Sequence, residues 1–260
     1  MMGCTTIQVT QTESVATILL NRPEKRNALS SRLIDDLLAA LDELADSPAR
    51  VLVLTGVGAS FCSGMDLKEL RAVTSRQPEQ NLADSRRVAR LFRAIYDFPQ
   101  PTIAAVNGPA VAGGCGMATL CDFTLASTEA KFGYPEVRIG FIPALVCGFL
   151  VRQIGDKPAR DLLLTGRLVS AEEAYRLGLV TEVVAPEQLL PRAHERARAL
   201  LENSPAALRA TKRLLNAYAR TALEEFLELA VDANAGIRAT EDFHEGVSSF
   251  LEKRKPRWSA

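Results

Sequence analysis

The chain has 260 residues, nearly half of them apolar, enough to bury one sizeable core with a modest appendage. Its 31 basic and 31 acidic residues cancel, so no global field points to nucleic acid or an anionic membrane surface as partner. The apolar runs fall short of the roughly 20 residues that cross a bilayer, and no basic start followed by an apolar run marks a signal peptide, so a cytoplasmic, membrane-free chain is expected.

Ile7–Thr10 and Val15–Leu20 flank the polar Gln11–Ser14 and read as a β-hairpin. Ser30 or Ser31 caps a helix whose Leu33, Leu37, Leu38, Leu41 and Leu44 recur at helical spacing. Val51–Thr55 is a short apolar strand ended by Gly56. A polar, loop-like stretch around Thr74–Gln80 leads to a second amphipathic helix, marked by Val88, Leu91, Phe92 and Ile95 and stopped by Pro99 and Pro101. Thr102–Val106 is another buried strand. Further on, Ser170 with Glu173 and Thr221 with Glu224 read as capping boxes, and Pro205 after Ser204 as the first residue of a helix. From about residue 186 the text is almost entirely helical, so an α/β core precedes a helical C-terminal part.

Cys4, Cys62, Cys115, Cys121 and Cys147 show no CxxC spacing and read as small buried hydrophobes. Met2-Gly3-Cys4-Thr5-Thr6 approaches a myristoylation motif, but Ile7 stands where that motif wants Ser or Thr. The two histidines, His194 and His244, both lie in the helical tail, which leaves no support for Ser-His-Asp or zinc chemistry.

Chemistry concentrates in residues 102–143. A buried strand runs into Asn107-Gly108-Pro109, then Gly113-Gly114, then the apolar stretch from Cys115 to Leu120. Strand, glycine pair and helix leave free N–H groups at a helix start, where a phosphate or a developing oxyanion can be held. A glycine kept only for close packing is the competing reading. Gly113-Gly114-Cys115-Gly116 lacks dinucleotide-fingerprint spacing, and the chain has no G-x-x-x-x-G-K-[ST] loop. A second glycine-bearing turn, Phe61-Cys62-Ser63-Gly64-Met65-Asp66-Leu67-Lys68, again follows a buried strand. Donors from two such loops make an oxyanion hole; an ordinary turn into a helix capped near Asp66 is the bland reading.

Asn21 to Leu29, Phe61 to Leu67, the 102–143 block, Thr165-Gly166-Arg167 with Ala171 to Val184, and Phe250 to Lys255 together resemble the enoyl-CoA hydratase/isomerase (crotonase) superfamily in order and spacing. The resemblance implies an α/β fold, a crotonase-like ββα spiral core over residues 1–195. It also implies a C-terminal helical region, residues 196–260, used to form homotrimers that often pair into homohexamers. It implies an acyl-CoA substrate whose thioester oxygen sits between the N–H groups of Met65 and Gly113, coenzyme A being part of the substrate and no cofactor or metal being needed. Substrate contacts are expected at Lys25, Ala28, Met65, Asp66, Leu67, Lys68, Gly113, Gly116, Tyr134, Phe250 and Lys253, the last with the coenzyme A phosphates.

Hydratases of this family place two glutamates at the reacting bond. One position is Glu136, within Pro135-Glu136-Val137-Arg138-Ile139-Gly140; the other is Gly116, so one carboxylate is missing. One carboxylate suffices to move a proton between C2 and C4, which is double-bond isomerisation. The text Ile139-Gly140-Phe141-Ile142-Pro143-Ala144 equally resembles a branch that hydrates branched or glutaconyl-type acyl-CoAs. Tyr134, Cys62, Cys115, Asp66 and Glu69 are the candidates to replace the missing acid, and the polar stretch 74–85 is where the family's acyl selectivity often resides. A non-catalytic acyl-CoA-binding scaffold is the reading from another class; it would have no use for Glu136.

Overall fold

The structure, a computed structural model, describes residues 5–12 and 14–259. The myristoylation-like segment from Met2 to Cys4 therefore lies outside the described residues. In chain order the elements are β1 (Ile7–Thr12), β2 (Val15–Leu20), α1 (Ser31–Ala45), β3 (Val51–Gly56), α2 (Leu67–Val73) and α3 (Pro78–Tyr96). There follow β4 (Thr102–Val106), β5 (Ala110–Val111), α4 (Gly113–Thr119), β6 (Phe123–Ser127), β7 (Lys131–Gly133), α5 (Ala144–Ile154) and α6 (Asp156–Thr165). The chain ends with β8 (Leu168–Ser170), α7 (Ala171–Leu177), β9 (Glu182–Val184), α8 (Leu189–Leu201), α9 (Pro205–Ala217), α10 (Arg220–Gly236) and α11 (Glu241–Glu252).

The larger sheet has the order β1-β2-β3-β4-β6-β9, antiparallel at β1/β2 and parallel elsewhere. Its central strands are apolar on both faces because both faces are covered. Val51 and Val53 of β3 and Ile103 and Ala105 of β4 meet Leu189, Ala193 and Ala197 of α8. The alternate residues, Leu52, Leu54, Ala104 and Val106, enter the main core with α1 and α3. The smaller sheet, β5-β7-β8, takes the next segment of chain after β4 and after β6, so strand, second-layer strand, helix recurs along the chain.

The expected hairpin, capped helix and buried strands form where their patterns put them. Ser30 Oγ accepts the Leu33 N–H, and Ser204 Oγ accepts the Ala207 N–H ahead of Pro205. Three expectations change. The polar stretch 74–80 is a loop only as far as Gln77. Pro78 then starts α3 and the Gln80 side chain accepts the Gln77 N–H at 3.0 Å, so a charged turn precedes the amphipathic part. Thr221 is not a cap but lies inside α10, because Glu224 is drawn into ion pairs with Arg93 and Arg220. The division expected between residues 195 and 196 falls within α8, which is packed on the sheet and cannot be separated from it.

The C-terminal helices dock on their own chain. Leu223, Leu227, Ala230 and Val231 of α10 belong to the main core. Lys212 of α9 reaches the buried edge of the sheet, donating to Gln100 O and to Asp122 at 2.6 Å. Phe243 and Val247 of α11 pack with Leu70 and Val73 of α2 and with Met65, Ile139 and Phe141. This contact is close enough to require glycine on both sides. A Cβ on Gly246 would lie 2.3 Å from the Ile139 carbonyl, and one on Gly140, whose φ is +65°, would lie 2.3 Å from Asp242 O. We expect Gly140→Ala to lower stability by about 2 kcal/mol or more and to raise amide exchange in α11 first. Unchanged melting and exchange would show that α11 is not held by this turn.

Candidate active site

Short backbone bridges knit three loops into one floor. Leu29 and Met65 form a parallel bridge, with Leu29 N–H on Gly64 O and Asp66 N–H on Leu29 O, both 2.7 Å. Cys62 bridges Ala110 through Cys62 N–H to Pro109 O and Val111 N–H to Cys62 O. Ala112 N–H then donates to Gly133 O, at the end of the strand that leads to Glu136. Gly114 is obligatory here, since a Cβ would sit 2.3 Å from Cys62 O.

Side chains brace the same floor. Asn27, fully buried at φ +54°, donates to Val57 O and Ser60 O and accepts the Arg22 N–H. Arg22 donates to Ala28 O and to Asp66. Asp66 also caps α2 by accepting the Lys68 N–H. Burial pushes the Asp66 carboxyl up, but the Lys68 N–H and Arg22 outweigh it and hold it below its ordinary value.

Among the described residues, neither the Met65 nor the Gly113 N–H has a hydrogen-bond partner. Met65 follows Gly64 at φ +87°, and Gly113 is the first residue of α4, where helix geometry leaves the N–H free. Ala112 before it has φ +53° and ψ −125°, a region that costs a residue with a side chain on the order of 1–3 kcal/mol. Both Met65 and Gly113 line a cavity of about 450 Å³, together with Glu136.

Glu136 lies on a single 3-10 turn, Pro135–Ile139, that the Pro135 ring starts and Gly140 ends. Its Oε2 is buried with no hydrogen-bond partner. Burial pushes the carboxyl up to about 7, against a smaller opposing effect of its own N–H. At neutral pH it is thus divided between acid and base, the condition that suits proton transfer.

The position of the missing carboxylate is closed. A Cβ on Gly116 would lie 2.7 Å from Val146 Cγ1 and 3.2 Å from Phe92, and it is Val146 and Phe92, not Gly116, that line the cavity. The candidates to replace it are engaged elsewhere. Tyr134 is buried behind the cavity wall with its hydroxyl 3.2 Å from Thr119, and burial drives that phenol well above its ordinary pKa. Cys62 and Cys115 are fully buried away from the cavity, and burial pushes both thiols up to about 12. Glu69 lines the cavity but accepts the Ser31 N–H and pairs with Arg76 at 2.7 Å.

Of the other expected contacts, Phe250 lines the cavity from α11. Leu67, Lys68 and Lys253 are exposed beside it, next to lining residues Met65 and Arg254. Lys25 is exposed and Ala28 buried, both outside the cavity wall. His194 and His244 are outside it as well. Among the described residues no cluster of His, Cys, Asp or Glu is arranged to hold a metal ion, and no helix is long and apolar enough to cross a membrane. The wall also includes Phe92, Val146, Arg76, Asn234 and Arg238, which no sequence motif marks; Phe92 reads from sequence as an ordinary core position of its helix.

The sequence profile of the enoyl-CoA hydratase/isomerase family matches residues 10–260. A Thermus thermophilus protein named "Putative enoyl-CoA hydratase" is 49% identical over 245 residues, 94% of this chain and 97% of that one. The crotonyl-CoA hydratase of Syntrophomonas wolfei is 37% identical over 250 residues, 94% of each chain. An enoyl-CoA hydratase/isomerase crystal structure from Xanthobacter autotrophicus superposes with a TM-score of 0.89 at 30% identity, covering 99% of this chain and all of that one. The crotonase-type α/β fold expected from the sequence is therefore the fold observed.

The raised Glu136 pKa has a consequence for stability. The unfolded chain sheds this proton near 4.5 and the folded one near 7, so stability falls as pH rises between those values and is flat above them. The loss is on the order of 3 kcal/mol. Glu136→Gln escapes it, so the melting-temperature difference, variant minus wild type, is expected to be larger at pH 8 than at pH 5. Equal differences at both would show that the carboxyl titrates normally.

Proposed function

The chain belongs to the enoyl-CoA hydratase/isomerase family, and from that premise we propose that it works on an enoyl-CoA with Glu136 as its single acid–base group. That it is an enzyme acting on an acyl-CoA thioester follows from the family; the assignment of roles to residues is our own. The observation that carries it is the buried Glu136 carboxylate, whose Oε2 has no partner, with the space beside Gly116 taken by Val146 and Phe92.

The thioester oxygen would lie between the Met65 and Gly113 N–H groups. Negative charge that develops there during enolate formation is stabilised without reorganisation, because both donors are fixed by the floor of backbone bridges. A C2 proton of a 3-enoyl-CoA then passes to the Glu136 carboxylate, leaving a dienolate. The same carboxylic acid returns it to C4, and the double bond moves into conjugation. This isomerisation asks for no second carboxylate and no cofactor or metal. The coenzyme A arm would cross the exposed Leu67, Lys68 and Lys253, with Asp66 bracing the loop that starts there. Gly116 and Tyr134 contribute by shaping the wall from behind, Lys25 and Ala28 by holding the loop beneath.

Hydration is the second reading, favoured by the names of the relatives. In it, protonated Glu136 gives its proton to C2 as water adds at C3, and the carboxylate so formed takes the water's proton. Assembly into a homotrimer or homohexamer is supported by the apolar groups that the C-terminal region leaves uncovered, Leu214 at 70% and Tyr218 at 90% exposure.

The test is a paired assay on 3-enoyl-CoA and 2-enoyl-CoA, with wild type and Glu136→Gln. Ultraviolet absorbance follows conjugation and mass spectrometry detects gained water. Isomerisation without water gain, reduced about 10²–10⁴-fold in the variant, is the expected result. The pH profile separates the mechanisms further: a carboxylate base requires kcat/KM to rise through about pH 7, whereas a carboxylic-acid donor requires it to fall there. Turnover that Glu136→Gln leaves intact would overturn both readings.

A further inference from the structure

One part of the cavity wall is polar and charged where most of the remainder is Ile34, Leu70, Val88, Phe92, Leu145 and Val146. Arg238, on the turn after α10, has a side chain only 1% exposed, yet it lines the cavity. Its Nη1 donates to Asp84 at 2.7 Å and to Asn81, its Nη2 to Asn234 at 2.9 Å, and its Nε is buried with no partner. Arg76 stands on the other side of Asp84, 3.4 Å away, and pairs outward with Glu69. Phe141 closes over the Arg238 guanidinium at 5.5 Å.

A purely aliphatic acyl chain gains nothing from this wall. Seated against it, a methyl end would meet the guanidinium groups of Arg238 and Arg76 and the carboxylates of Asp84 and Glu69, none of which it can pair with, and it would displace the water that otherwise solvates them. We propose that this wall selects acyl groups bearing an oxygen acceptor remote from the thioester, a carboxylate above all, which Arg238 and Arg76 would meet as charge-assisted donors. The inference rests on the acyl-CoA reading of the cavity and names the class of acyl group within it.

Isothermal titration with saturated acyl-CoAs tests it apart from catalysis. The probes are hexanoyl-, 6-hydroxyhexanoyl- and adipyl-CoA, and the shorter pair butyryl- and succinyl-CoA. In at least one length series the oxygen-ended member is expected to bind about tenfold more tightly than the methyl-ended one. Arg238→Lys and Arg76→Gln should each shrink that ratio toward one. Arg76, at 20% exposure, keeps the test open if the buried Arg238 cannot be replaced without unfolding. Methyl-ended thioesters that bind as well or better in both series would overturn the proposal and leave the acyl-CoA reading standing. An oxygen preference in a protein whose turnover ignores Glu136 would overturn the single-glutamate mechanism alone, and failure of every acyl-CoA to bind would overturn both.

Discussion

The bridge between Cys62 and Ala110 is the constraint from which the site follows. Two hydrogen bonds there join the loop after β3 to the loop after β4, and the join is possible only because Gly114 has no Cβ to strike Cys62 O. Once those loops are locked, Gly64 and the Leu29 bridge fix Met65, the strained Ala112 turns the chain into Gly113, and the bond from Ala112 to Gly133 places the start of the Glu136 turn. Donors and acid come from distant parts of the sequence, but backbone hydrogen bonds, whose lengths vary little, set their relation. The strain at Ala112 survives because the bridges on either side over-determine its conformation.

The surroundings of Glu136 matter as much as its presence. A carboxylate among proline, isoleucine and phenylalanine loses hydration and gains only its own N–H in return, so its proton affinity rises into the neutral range. Val146 and Phe92 occupy the space beside Gly116, and the other carboxylates on the cavity wall, Glu69 and Asp84, are each paired with an arginine. Among these wall carboxylates, Glu136 is the one with a buried oxygen, Oε2, left without a partner.

The C-terminal helices are part of the site. α11 packs through Gly246 on the carbonyl of Ile139, and its Phe243 and Val247 sit with Met65 and Leu70, so one helix touches both the turn that bears Glu136 and the loop that carries Met65. α10 and the turn after it supply Asn234 and Arg238 to the cavity wall. The tail that the sequence assigns to assembly is also a wall of its own chain's pocket, while Leu214 and Leu215 of α9 remain exposed.

The sequence by itself determined the elements whose patterns are local: the hairpin, the doubly buried strands, the caps at Ser30, Ser170 and Ser204. It also determined the family and the absence of one glutamate, because ordered motifs such as Gly113-Gly114 and Pro135-Glu136 survive as text. Start signals that compete with ion pairs are not legible locally, as at Thr221, where Glu224 pairs with Arg93 and the helix begins one residue earlier. What only the tertiary structure decided is everything that depends on which side of a wall a residue lies. Tyr134 stands close to Glu136 in the chain yet lies behind the cavity, while Arg76, far in sequence from Asn234 and Arg238, shares its lining with them. The reason is that burial and desolvation are properties of packing between distant segments, and no local pattern encodes the neighbour that will arrive from more than a hundred residues away.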